Sequence, residues 1–188
     1  AERPHEFHYV VLPEHPLTPR LSRLEAGDTV YLTPKASGFL TLAEVPPGEH
    51  LWLLASGTAL GPFLSILKTE APWRRFERVV LVHAVRRAEE LCYQDQILSI
   101  QARHAGQFVI VPVVSREHSD FALGGRIPKA IEDGRLEARA GIGLAQSSRL
   151  MVCGNPAMVA DTLHALQQRG LKMHRRRDPG QISVENYW

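Results

Sequence analysis

At 188 residues the chain is long enough to bury a sizeable core as one large or two small domains. Its 44% hydrophobic and 22% charged content exclude a disordered or fibrous chain, and a net charge of +2 gives no reason to expect a nucleic-acid partner. No apolar run approaches the roughly 20 residues of a membrane span, so no membrane partner is expected.

The start, AERPHEFHY, is polar and charged and lacks the apolar stretch of a secretory signal. Cys92 and Cys153 lie far apart and form no CxxC pair, which points to a reducing, cytoplasmic setting. Along the chain, HEFHYVVLP alternates through Phe7, Tyr9 and Val11 as a half-buried strand does. LTPRLSRLEAGD predicts a short helix and a Gly-Asp turn, TVYLTP a second strand and SGFLTL a third. Pro46, Pro47 and Gly48 then mark a linker.

Beyond the linker the rhythm changes. The apolar runs LWLLA, VVLVHAV, QFVIVPVV and RLMVCG alternate with predicted helices over 62–69, 89–104, 128–133 and 156–169, and QISVENYW supplies a last strand. Runs rich in Val, Leu and Ile without strict alternation are buried on both faces, and strand–helix repetition predicts a parallel sheet with right-handed crossovers. The expected organisation is therefore residues 1–47 as a few β-strands and residues 48–188 as a doubly wound α/β domain of five strands.

Ligands of open α/β sheets bind outside the carboxyl ends of the strands, so the residues there are the candidates. Ser56-Gly57-Thr58-Ala59-Leu60-Gly61-Pro62 is either a plain tight turn or a place where a flat or anionic ligand meets the backbone. Arg86 and Arg87 follow the second run. Ser115 and Arg116 follow the third, with Arg126 downstream. Together they suit a phosphorylated ribose, while any single arginine among them reads equally as solvated surface. Cys153-Gly154-Asn155-Pro156 places a thiol at a strand tip, as a crevice residue or a small apolar core residue, with Asn155 as a helix cap. The aromatic end, Tyr187-Trp188, covers a core edge or stacks on a planar ring. The nine histidines are scattered without ligand spacing, so no metal site is expected.

With these residues in view the chain resembles the bacterial-type ferredoxin (flavodoxin)–NADP reductases. The resemblance rests on PLTPRL, GTALGP, LVHAVR, PVVSRE, GRIP, CGNPAMV and VENYW, in that order along the chain. It implies an enzyme that passes electrons between NADPH and a ferredoxin or flavodoxin, by hydride transfer to FAD and single-electron release. It implies FAD contacts from Tyr9, Val10, Val11, Leu17, Thr18, Thr58, Tyr187 and Trp188. NADP contacts would come from Gly57, Arg86, Ser115, Arg116, Arg126 and Gly154, with Arg116 and Arg126 nearest the 2′-phosphate. Thr58 and Cys153 would lie beside the reacting rings, and Glu185 is either a proton relay there or a solvated carboxylate. Residues 1–47 would be the second half of an antiparallel FAD-binding barrel. The family's Arg-x-Tyr-Ser flavin motif belongs before the first residue, so a piece of a longer, monomeric reductase is expected. Arg20, Arg23 and Arg175–Arg177 would offer a basic face to an acidic carrier, or simply a solvated charge run. The alternative reading is a non-catalytic NADP-binding regulatory module. A reductase component of an oxygenase or flavohaemoprotein is disfavoured, because the sequence carries no further cysteine cluster.

Overall fold

The computed structural model describes residues 5–35 and 38–186. The chain divides into two compact units at Gly38/Phe39. This break falls earlier than the Pro-Pro-Gly linker suggests, because Leu42 and Val45 are already buried in the core of the second unit.

In the first unit a four-residue helix, α1 (Thr18–Leu21), forms where the Thr-Pro pair predicts one. His15 sits at its start, its Nδ1 accepting from the Leu17 and Thr18 backbone N–H groups at 3.2 and 3.3 Å. The two strands expected around it are absent: 5–13 and 29–34 contain no strand residues. A strand exists only as part of a hydrogen-bonded ladder with a covered face, and these stretches have neither. Val10, Val11, Leu12, Val30, Tyr31 and Leu32 are all exposed. The third expected strand is replaced by a 3₁₀ turn at Leu42–Glu44, in the second unit.

The second unit is a parallel six-stranded sheet between two helical layers. The strands are β1 (His50–Ser56), β2 (Arg78–Val85), β3 (Phe108–Val114), β4 (Leu123–Gly124), β5 (Ser148–Gly154) and β6 (Ile182–Asn186). Their order is β4-β3-β2-β1-β5-β6. The five predicted strands are all present, and β4 is an added two-residue edge strand too short to leave a hydrophobic pattern. The helices are α2 (Leu60–Leu67), α3 (Ala71–Arg75), α4 (Gln94–Arg103), α5 (Ile127–Glu132), α6 (Arg135–Ala140) and α7 (Pro156–Gln168). Of these, α3 and α6 are shorter than two turns and escaped the periodicity.

Alternation along each strand feeds two cores. Leu51, Leu53, Ala55, Val79, Leu81, Met151 and Cys153 pack with α2 and α4. Trp52, Leu54, Val80, Val82, Leu150 and Val152 pack with α5, α6 and α7. Burial on both faces removes the polar alternation from the strand sequences. Each fully covered Leu or Val contributes about 1.5–3 kcal/mol.

Candidate functional site

The chain leaves β1 into α2 on one face of the sheet and leaves β5 into α7 on the other. Because β1 and β5 are neighbours, their carboxyl ends form a topological switch point, where the diverging connections open a crevice. Ser56 joins its two sides: its Oγ accepts from the Asn155 backbone N–H at 3.2 Å. A Cβ on Gly154 would stand 2.1 Å from that Oγ, and Gly154 has φ +145°, so only glycine fits. On the β1 side Gly57 has φ +55°, and a Cβ there would meet nothing within 4 Å. Gly57 thus presents open backbone at the crevice, while Thr58 and Ala59 of the same turn are buried, Thr58 only 8% exposed. On the β5 side Asn155 caps α7, its Oδ1 accepting from Ala157 N–H at 3.0 Å and Met158 N–H at 3.4 Å.

Cys153 is at the tip of β5, as its place in the sequence suggests, but its side chain does not reach the crevice. It is fully buried in the core containing Ala55. Burial and then the Glu185 carboxylate push its thiol up to about 12, so it stays protonated. Glu185, half-buried on β6, stands opposite Cys153 in the ladder. Among the described residues neither cysteine takes part in a disulfide.

Across the rest of the carboxyl edge the register places three turns side by side. Val85 pairs with Val114, and Val114 with Gly124. Arg86, Arg116 and Arg126 therefore follow the ends of β2, β3 and β4 in succession. The turns are tied together by Ser115 N–H to Val85 O at 3.1 Å, Arg116 N–H to Arg86 O at 2.9 Å and Gly125 N–H to Val114 O at 2.9 Å. Among the described residues, Arg87, Arg135 and Arg139 along this edge have side-chain partners in Glu117, Asp133 and the Phe121 carbonyl. Arg86, Arg116 and Arg126 are exposed, and their guanidinium groups have no hydrogen-bonding or ionic partner among the described residues. Three uncommitted guanidinium groups on adjacent strand ends suit an anion with several charged oxygens. The Ser115 hydroxyl donates to Val85 O at 3.2 Å rather than outward, so it can give a ligand only its lone pairs unless it rotates.

Two carboxylates that sequence reasoning passed over hold this edge. Glu90 accepts from the Arg86 N–H at 2.9 Å, and Glu117 accepts from the Ala88 N–H at 2.6 Å. Glu117 lies in the PVVSRE stretch, but nothing in its local sequence says that it reaches back to the turn after β2.

Tyr9, Val10, Val11, Leu17 and Thr18 belong to the first unit. Tyr9, Val10, Val11 and Leu17 are exposed there, and Thr18 Oγ1 accepts from the Leu12 N–H at 3.0 Å. Uncovered apolar side chains in sequence fit a flat ring system such as a flavin, and the open Gly57 turn with the free arginines fits a phosphorylated dinucleotide. Tyr187 and Trp188 lie outside the described residues. No helix among the described residues is long and apolar enough to cross a membrane.

Comparison with known proteins agrees with this geometry. Residues 53–164 match the oxidoreductase NAD-binding domain family. The chain is 45% identical over 185 residues to the flavodoxin/ferredoxin–NADP reductase of Escherichia coli (strain K12), covering 97% of this chain and 75% of that protein. A crystal structure of a ferredoxin NADP+ reductase from Neisseria gonorrhoeae with bound FAD and NADP superposes with a TM-score of 0.87. It is 37% identical and covers 93% of this chain and 71% of that one. The flavohemoglobin of Malassezia yamatoensis, 17% identical, shares the fold, with a TM-score of 0.70 over 95% of this chain and 42% of its own. The uncommitted arginines, the glycine-lined switch point and these relatives agree: the chain belongs to the flavodoxin/ferredoxin–NADP reductases, oxidoreductases that work with FAD and NADP.

Proposed function

We propose that this chain holds NADPH along the carboxyl edge of its sheet and passes electrons between it and a ferredoxin or flavodoxin. The observation that carries the reading is the row of three partnerless arginines, Arg86, Arg116 and Arg126, leading along the strand ends toward the open Gly57 turn. Arg116 and Arg126 bind the 2′-phosphate and Arg86 the pyrophosphate. Ser115 accepts from the ribose. The open Gly57 backbone leaves room at the switch point for the nicotinamide, with the tightly packed Gly154 beside it. Thr58 and the protonated Cys153 form the wall behind it, and Glu185 sets the charge next to that wall. The residues proposed for FAD are Tyr9, Val10, Val11, Leu17 and Thr18 of the first unit, with Thr58, Tyr187 and Trp188. FAD, when bound, supplies the conversion between two-electron and one-electron chemistry that links NADPH to a single-electron carrier. The protein supplies position and electrostatics. A monomer in the cytoplasm, with both thiols reduced, completes the reading.

The test is dye reduction by the FAD-loaded chain with NADPH or NADH. The double variant Arg116→Ala/Arg126→Ala should raise KM for NADPH far more than for NADH, since each lost charge-assisted bond costs about 1.5–3 kcal/mol. Equal effects on both coenzymes would sink the assignment.

A further inference from the structure

The loop between β3 and β4 carries Arg116 at its start, and Arg126 follows β4. Little of its own holds it. Within it Ala122 N–H reaches Ser119 O at 3.3 Å, and the His118–Asp120 pair at 3.0 Å lies almost wholly in solvent. β4 is two residues long.

The start of the loop is tied to the turn after β2 through Glu117, and what grips its far end comes from α6. Arg135 and Arg139 are one turn apart and project from one face of the helix. Arg139 Nη2 donates to the Phe121 carbonyl at 2.8 Å, and Arg135 Nη1 donates to the Gly124 carbonyl at 2.9 Å. Arg135 is itself braced, its Nε donating to Asp133 Oδ2 at 3.0 Å, and its Nη2 lies 3.9 Å from where a Cβ on Gly125 would be. The other face of α6 is fixed, since Leu136 and Ala140 are buried in the core. A helix anchored below and carrying two guanidinium donors above is a rigid support for the stretch 121–124 that leads into Gly125-Arg126.

Resting on the assignment of Arg116 and Arg126 to the 2′-phosphate, we infer that Arg135 and Arg139 are positioning residues for NADP recognition. They hold the loop through the Phe121 and Gly124 carbonyls, so that Arg126 stands beside Arg116 before the coenzyme arrives. They act through Arg126 and do not touch the phosphate. Preorganisation of this kind raises affinity for the ligand feature it serves and leaves the rest of the ligand alone.

The experiment is calorimetric binding of adenosine 2′,5′-bisphosphate and of adenosine 5′-monophosphate to the full chain. Arg126→Ala should weaken the bisphosphate at least tenfold and the monophosphate less than twofold, with Arg116 keeping a residual preference. If it does not, the phosphate assignment is overturned, and this inference with it. Arg135→Met/Arg139→Met keeps the aliphatic stems and removes the donors. It should weaken the bisphosphate about fivefold to tenfold and the monophosphate less than twofold, with Arg135→Lys/Arg139→Lys recovering part of the loss. In the Arg126→Ala background the same pair should cost nothing further; an additive loss means direct phosphate contact and overturns the positioning role. Unchanged discrimination in Arg135→Met/Arg139→Met, with Arg126→Ala still deleterious, overturns this inference alone. If the double Met variant fails to fold, Arg139→Met by itself, which leaves the Arg135–Asp133 pair in place, should lose part of the discrimination, and wild-type discrimination there overturns it.

Discussion

Gly154 and Cys153 are adjacent and do opposite things. Gly154 is the tight joint of the switch point. In Gly154→Ala the new methyl would meet Ser56 Oγ at 2.1 Å and Met158 Cε at 2.9 Å at a φ that disfavours any side chain. Overpacking and strain together should cost about 2–4 kcal/mol in urea denaturation, and Ser56→Gly in the same chain should restore part of it. Cys153 turns inward and adds a pH dependence. An unfolded cysteine ionises near 9, whereas the folded thiol, buried and then facing Glu185, waits until about 12. Its contribution to stability is thus fully present below pH 9 and is lost as pH rises from 9 toward 12. Between pH 8 and 10.5 the wild type should lose more stability than Cys153→Ala. Parallel curves would show that the thiol does not titrate with folding.

At the scale of elements, the stretch before β1 shows how a segment without secondary structure of its own is fixed by its neighbours. Arg75 of α3 donates to the carbonyls of Leu42 and Val45, the second at 2.6 Å. Arg176 forks onto Glu44 at 2.8 and 3.0 Å and lies 5.1 Å from the Phe39 ring. The two arginines differ in worth. Arg75 satisfies backbone carbonyls at a buried turn, so Arg75→Met should cost about 1–2 kcal/mol. Arg176 and Glu44 meet in solvent, where water screens the pair, and Arg176→Met should cost clearly less than Arg75→Met. Equal losses in thermal denaturation would contradict that distinction. The same contact pairs the middle charge of the 175–177 run with a carboxylate, so a basic docking face there would rest on Arg175 and Arg177.

For the molecule as a whole, the residues assigned to NADP lie in the second unit, with its two cores and continuous six-stranded ladder, and most of those assigned to FAD lie in the first, whose apolar side chains stand uncovered. The full chain should accordingly bind NADP with flavin absent. Calorimetry of flavin-free protein checks this, and binding only after FAD is added would show that the two nucleotide sites are not separable.

The α/β half was legible because burial on both faces writes long Val, Leu and Ile runs into β1, β2, β3 and β5, and because Asn155-Pro156 is a local capping signal. The strand-end arginines were legible too, since a strand's end is a position in the sequence. Four things were not, and each depends on partners distant in sequence. The three early strands failed for want of a ladder or a covered face. The thiol at the tip of β5 was turned into the core by strand alternation that the continuous apolar run conceals. α6 was too short to show a period, so its grip on the β3–β4 loop went unseen. Which arginines are free and which are committed was decided only when Glu117, Asp133 and the Phe121 carbonyl were brought beside them. Local propensity and burial pattern are properties of a segment, whereas a salt bridge, a ladder or a switch point exists only between segments that tertiary structure has brought together.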